Sequence, residues 1–394
     1  MISKLHGGLV FPGDEEKFGE KSEETKQTEE VRGATNDVNI AFCPRTSDLS
    51  LEERYNLCMS IGEEVVEKEW LMDLLKKKEN FICYDGFEPS GRMHIAQGLL
   101  KSINVNKLTK SGGIFLFWVA DWFAMLNKKM DGDLAKIKDL GRYFIEIWKA
   151  AGMNLENVKF LWASDEINKR ADEYWSMVMD ISTKHSLNRI LKCTTIMGRS
   201  EGYDLSASQI FYPCMQAADI FFLKADVCQL GTDQRKVNML AIDYAEKVGL
   251  QKPVIISHPM IMGLKKGQEK MSKSDPDSAI FMEDTAKDVV RKIKKAYCEP
   301  GDVTTNPILN YCQHIVFALK DSWTLHRPKE WGGEITYNNY EELKQDYADL
   351  KINPEDVKEN LTNLLNELLE PIRKHFEENE TAKQLLERVK EYRK

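Results

Sequence analysis

Between residues 81 and 257, short apolar runs alternate with longer stretches in which apolar positions recur every three to four residues. FICY (81–84), IFLFWVA (114–120), VKFLWA (158–163), VCQL (227–230) and PVIIS (253–257) are strand-length, rich in β-branched and aromatic residues, and predominantly apolar. Runs of that kind predict strands buried on both faces, and the helical segments between them supply the covers. The expected fold is therefore α/β: a Rossmann-like, doubly wound parallel sheet. From about residue 308 only the helical period remains, as in DVKENLTNLLNELLEPIRKHF, which predicts an all-helical second domain. The boundaries read as 48–300 for the sheet domain, with a connecting insertion at about 165–205, and 301–394 for the helical one.

Ahead of this pattern lies PGDEEKFGEKSEETKQTEEVRGATND (12–37), with nine acidic and four basic residues and few apolar ones. Such a segment cannot bury enough surface to offset chain entropy, so residues 1–47 read as an acidic, disordered arm. Residues 12–37 carry five of the eight units of net negative charge, and the rest of the chain is nearly balanced. Order is expected to resume at SLEERYNL, where Ser50 and Glu53 have capping-box spacing. No apolar run approaches the ~20 residues of a membrane helix, and the N-terminus lacks a signal-peptide pattern, so a cytoplasmic protein without a membrane partner is expected. The eight cysteines are scattered, with no spacing suited to a metal, and read as reduced packing residues.

Two segments carry candidate chemistry. GQEKMSKSDP (267–276) sets Lys270, Ser272 and Lys273 in a loop suited to a polyphosphate. YDGFEPSGRMHIAQGLLKS follows the first predicted strand, with Gly86 and Gly91 in a strand-to-helix turn that also carries His94 and Gln97. Glycine there permits close backbone approach, and a helix N-terminus favours anions. A lone histidine near a loop is more often structural, and a KxxK more often a solvated turn, so neither segment decides alone.

Together they resemble the paired ATP-binding motifs of the class I aminoacyl-tRNA synthetases. KMSKS stands at 270–274, and PSGRMHIAQG at 89–98 takes the place of the H-I-G-H motif, with Ala96 and Gln97 as departures. The resemblance implies catalysis by His94, Lys270 and Lys273 through positioning and charge stabilisation. It also implies an ATP site of Gly86, Gly91, His94, Gln97, Gly231, Asp233, Lys270, Ser272 and Lys273, with Mg²⁺ on the phosphates.

The segment SASQIFYPCMQAADIFFL (206–223) reads as a helix apolar nearly all round, into which Tyr212, Gln216 and Asp219 are set at i, i+4 and i+7. That spacing puts all three on one face. A polar stripe on a buried helix needs partners: solvent, an internal network, or a zwitterionic ligand. These positions resemble the tyrosyl-tRNA synthetase family of archaeal and eukaryotic type. The resemblance implies that Tyr84 and Asp219 hold the phenol of L-tyrosine, while Tyr212, Gln216 and Gln234 hold its amino end. No editing domain is implied, and the 165–205 connection is too short for one. Its residues Tyr174, Trp175, Met177, Val178 and Ile181 read as packing or subunit interface, and the resemblance implies a homodimer.

At the other end, HRPKEWGGEIT and KINPEDVKENL resemble the family's anticodon-reading region, implying tRNA-Tyr, and not DNA, as the nucleic-acid partner. Trp331 would stack on an anticodon base and Asp356 would bond its edge, whereas Asn353 stands where the family carries histidine. The rivals are a tryptophan-specific enzyme of the same architecture, a catalytically inactive RNA- or partner-binding relative, and a small-molecule adenylate-forming ligase.

Overall fold

The computed structural model describes residues 44–198, 206–271 and 275–392; the acidic arm up to residue 43 lies outside the described residues. Six strands form the central sheet: β1 (Glu64–Val66), β2 (Phe81–Phe87), β3 (Gly113–Val119), β4 (Val158–Trp162), β5 (Val227–Cys228) and β6 (Val254–Ser257). Their order is β1-β6-β5-β2-β3-β4, parallel throughout except for β1, which pairs antiparallel with β6 at one edge. The five expected strands make up the parallel part. The edge strand, EVV, is too short to carry a period, and glutamate flanks it at Glu67.

Because successive strand residues point to opposite faces, the sheet sorts its side chains into two cores. Phe81, Cys83, Phe115, Phe117, Val227 and Val254 face one side. Tyr84, Leu116, Trp118, Cys228 and Ile255 face the other. The helices α1 (Leu51–Met59), α2 (Lys101–Lys110) and α3 (Leu134–Ala150) cover the first face; Ser50 caps α1 reciprocally with Glu53. The second face is covered by α4 (Ala171–Lys184), α5 (Ala207–Phe222) and α6 (Arg235–Val248). Trp148 of α3 packs near-parallel against both Phe117 and Phe160, at 4.8 and 6.1 Å, and truncating such a side chain costs about 3–5 kcal/mol.

Beyond the sheet come α7 (Ala286–Lys295), α8 (Pro354–Glu378) and α9 (Glu380–Glu391). To these helices the structure adds a two-stranded antiparallel ribbon, β7 (Trp323–Leu325) with β8 (Ile335–Tyr337). Val289, Leu325, Leu361, Leu365 and Val389 belong to the same buried cluster as Phe117 and Trp148. Polar contacts tie α8 and α9 to α3: His375 meets Glu146 at 2.8 Å, and the Tyr392 hydroxyl donates to Asp139 at 2.7 Å.

The strand that matters most for a ligand is β2. It pairs with β3 on one side and β5 on the other, so the winding reverses there. At such a switch point the loops leave the strand ends in opposite directions, and a crevice opens at the C-terminal ends. The seven described cysteines are free, in keeping with packing residues.

Candidate active site

A cleft of about 380 Å³ opens at this switch point, and its walls come from several segments far apart in the sequence. The end of β2 gives Tyr84, Asp85, Gly86 and Glu88; the following turn gives His94 and Gln97; α2 gives Lys101. Opposite them stand Tyr212, Gln216 and Asp219 of α5, the segment after β5 with Gly231, Asp233 and Gln234, and Lys270. Gly91, with φ of +60°, turns the backbone between Glu88 and His94 without lining the cleft. Gly86 keeps the wall open, since a Cβ there would lie 3.2 Å from the Tyr84 hydroxyl.

The buried end is built around Asp219, which is fully shielded from solvent. The Tyr174 hydroxyl donates to its Oδ1 at 2.8 Å, and the Tyr84 hydroxyl reaches its Oδ2 at 3.4 Å. Burial pushes the Asp219 carboxyl well above the usual carboxylate range, and the phenol hydrogen bonds oppose that only partly. Both phenols are driven up by burial as well, so they stay protonated donors. Tyr174 thus does more than pack. Sequence spacing cannot reveal that pairing, because Tyr174 and Asp219 sit on different helices, 45 residues apart.

Along the same helix face, the Tyr212 hydroxyl donates to Glu88 Oε1 at 2.6 Å, and Gln216 Nε2 donates to Gln234 Oε1 at 3.1 Å. Gln234 in turn donates to the Ile196 carbonyl at 3.2 Å. This wall therefore carries two polar groups, a pair of neutral amides and a phenol bonded to one carboxylate. A second polar group, beneath the turn, joins Lys101 to Asp85 and to Gln229, whose amide meets His258 Nδ1 at 2.7 Å. Burial raises the Asp85 carboxyl against the pull of Lys101, and burial, then Lys101, holds His258 well below the ordinary imidazole range.

The two lysine- and histidine-bearing segments, far apart in sequence, are joined by backbone. Ile95 N–H donates to the Ile280 carbonyl and Met282 N–H to the Met93 carbonyl, each at 2.9 Å, bracketing a bridge between His94 and Phe281. The loop carrying Lys270 runs into this ladder. Its Met271 N–H bonds the Ile261 carbonyl at 3.2 Å, and Lys265 pairs with Asp275 across it at 2.5 Å. Lys270 lines the cleft, while Ser272 and Lys273 lie outside the described residues.

Trp331 and Asp356 do not line the cleft. Trp331 closes the short turn Lys329–Trp331 between β7 and β8 and is 69% exposed. Asp356 sits in the first turn of α8, where Asn353 is the N-cap and accepts from Glu355 N–H. Asn360 ties α8 to the end of β7: its amide accepts from His326 N–H at 2.9 Å and donates to the Asp356 carbonyl one turn back in its own helix at 2.8 Å. Four further cleft residues, Asp85, Glu88, Lys101 and His258, are not singled out by sequence spacing. Lys101 follows Gln97 by one helical turn, the one signal that could have found it.

Residues 76–370 match the family model described as tRNA synthetases class I (W and Y). The chain is 56% identical over 344 residues to tyrosine--tRNA ligase 1, cytoplasmic, of Arabidopsis thaliana, covering 87% of this chain and 89% of that one. Its fold is similar to a Leishmania major tyrosyl-tRNA synthetase in complex with tyrosinol, with a TM-score of 0.82 and 52% identity. The match covers 88% of this chain and 53% of the Leishmania chain, so this chain spans about half of that length. It is similar as well to a Pyrococcus horikoshii tyrosyl-tRNA synthetase complexed with L-tyrosine, with a TM-score of 0.80, 33% identity, and coverage of 86% and 100%.

Proposed function

We propose, because this chain belongs to the class I tRNA synthetases of the tryptophan and tyrosine type, that it activates L-tyrosine with ATP and charges tRNA-Tyr in the cytoplasm. The observation that carries the choice of amino acid is the pairing of Asp219 with Tyr84 at the buried end of the cleft that also holds His94 and Lys270. A phenol entering there finds an acceptor and a donor already desolvated. Phenylalanine would gain neither contact in return for its own desolvation of the site, and a site built to bond a hydroxyl rejects the analogue lacking it by about 10⁴–10⁵-fold, a magnitude already established for this enzyme class.

The reaction follows from positioning. Tyr84 and Asp219 hold the phenol; Tyr212, Gln216 and Gln234 hold the amino end, which aims the carboxylate at the ATP α-phosphate. The carboxylate oxygen attacks phosphorus in line and pyrophosphate leaves, giving tyrosyl-adenylate. A terminal ribose hydroxyl of the tRNA then attacks the acyl carbon and AMP departs. No side chain becomes a covalent nucleophile. His94, Lys270 and Lys273 meet the negative charge that builds on the phosphates, at the point where preorganised donors act most strongly. Gly86, Gly91, Gln97, Gly231, Asp233 and Ser272 complete the nucleotide's surroundings. Mg²⁺ arrives with ATP as part of the substrate.

Trp331 and Asp356 read the anticodon, an aromatic platform beside a base-edge acceptor. The tie that Asn360 makes between His326, at the start of the turn segment, and the first turn of α8 supports that reading. The chain acts as a homodimer; exposed Met179 on α4 and Phe211 on α5, two helices that pack on one another, support an apolar partner there. The deciding experiment is amino-acid-dependent exchange of pyrophosphate into ATP with tyrosine, tryptophan and phenylalanine supplied separately. Exchange with tyrosine alone is expected, and exchange with tryptophan alone would reject the assignment.

A further inference from the structure

The amino end described above offers only neutral groups: Tyr212, Gln216 and Gln234. An ammonium leaving water for such a setting loses hydration that neutral acceptors replace incompletely, and charges taken into a cleft are ordinarily met by an opposite charge. Among the described residues, four carboxylates line the cleft. Asp85 is in contact with Lys101, and Asp219 is held by the Tyr174 and Tyr84 hydroxyls at the buried end. Asp233 stands exposed to solvent, where screening weakens any pull on a ligand. Glu88 is the remaining one, and its Oε1 takes the Tyr212 hydroxyl at 2.6 Å.

We propose that Glu88 is a positioning residue that supplies the counter-charge for the α-ammonium of the bound amino acid, relayed through the Tyr212 hydroxyl; the inference deepens the tyrosine-activating function and rests on it. The direction of the hydrogen bond is what makes the relay work. With its proton committed to Glu88, the Tyr212 oxygen can only accept, which is what an ammonium with three donors requires. A phenol that donates to a carboxylate also carries more negative charge on its own oxygen, so the second bond strengthens the first. Glu88 is held for this role. The buried Asn127 amide donates to both of its oxygens, at 2.9 and 3.0 Å, and its side chain is only 17% exposed. Lys129 pairs with Oε2 at 3.6 Å, beyond hydrogen-bond distance and about one-third exposed, so solvent screens part of its pull on the charge.

The test compares two ligands of the full chain by calorimetry: L-tyrosine, and 3-(4-hydroxyphenyl)propanoate, which keeps the phenol and carboxylate but has no ammonium. Glu88→Gln preserves size and an acceptor for Tyr212 while removing the charge. It is expected to weaken L-tyrosine by about 10- to 100-fold, the scale of a lost charge-assisted contact, and to change the propanoate by less than about twofold. The unchanged propanoate doubles as proof that the pocket still folds. In a Tyr212→Phe background, where the relay is gone, Glu88→Gln is expected to add little further loss. Equal losses for both ligands, or no loss for tyrosine, would overturn the role of Glu88. A wild-type chain that instead binds tryptophan, with the same amine-selective loss in Glu88→Gln against indole-3-propanoate, would sink the tyrosine reading while supporting that of Glu88.

Discussion

Asp219 sits at the closed end of the cleft as a carboxyl with two phenols for company and, among the described residues, no cation as a hydrogen-bond partner. Burial raises it well above its ordinary value of 3.8. A folded state that holds a proton more tightly than the unfolded chain gains from it below that ordinary value, and the gain is lost as pH rises through the folded-state value. At neutral pH the ligand-free protein therefore carries a strained acid. An asparagine in place of Asp219 could take the same two contacts, its carbonyl accepting from Tyr174 and its amide donating to Tyr84, without that penalty. Asp219→Asn is expected to raise the melting temperature of the ligand-free chain, with little difference near about pH 4 and a growing one toward neutrality. The same variant is expected to lose tyrosine-dependent exchange by about 10- to 100-fold, the scale of a hydrogen bond to a charged group. Thermal melts across that pH range check the first half; a constant difference at every pH would mean that Asp219 does not change its protonation there. At this scale the sequence was legible where residues lie on one helix. The i, i+4, i+7 spacing puts Tyr212, Gln216 and Asp219 on one wall. Tyr174, Glu88 and Lys101 escaped because their partners are distant in the chain, and no local period records such meetings.

The elements that bring ATP-binding chemistry together are joined less by helices than by a short ladder, Met93–Ile95 against Ile280–Met282. It works only because the turn after it comes very close to its neighbour. Ala96–Leu100 is a wide, π-type turn, and a Cβ built on its Gly98 would fall 2.1 Å from Met282 Sδ and 2.4 Å from its Cε. Met282 is fully buried. Gly98→Ala should therefore destabilise the chain by about 1–3 kcal/mol, the usual penalty for overpacking a core. In a Met282→Ala background the obstruction is gone, and the same change should be neutral or slightly favourable, since alanine suits a helix better than glycine. Denaturant unfolding of the four chains of that cycle gives the answer; an equal cost in both backgrounds would show that Met282 is not what glycine avoids. Strands and helices with full periods were readable in advance. The edge strand β1, the π-type turn and the β7–β8 ribbon were not, since each is three to five residues long and held by contacts from elsewhere in the chain.

Across the whole molecule, the cleft and Trp331 are different kinds of surface. The cleft is enclosed by several segments far apart in the sequence, whereas Trp331 stands 69% exposed on a turn between two three-residue strands. A tryptophan left mostly in water buries little for stability, so its removal should leave folding nearly unchanged. It is held out by a rigid frame: Arg327 Nε donates to the Gly333 carbonyl at 3.0 Å across the turn, and Asn360 ties the ribbon to the first turn of α8 beside Asp356. That frame reaches the sheet through one buried core, in which Leu325 and Leu361 join Phe117. An aromatic ring presented on a fixed base suits stacking on an unpaired base, worth about 1–3 kcal/mol per contact. Trp331→Ala should then lower the efficiency of tRNA charging by about 10- to 100-fold, while amino-acid-dependent pyrophosphate exchange, which needs no tRNA, stays within about twofold of wild type. The loss should lie mainly in the Michaelis constant for tRNA, because the ring would help dock the nucleic acid and touches no reacting atom. Equal damage to exchange and charging would mean that Trp331 acts on the cleft through the shared core, and the anticodon role would have to be given up.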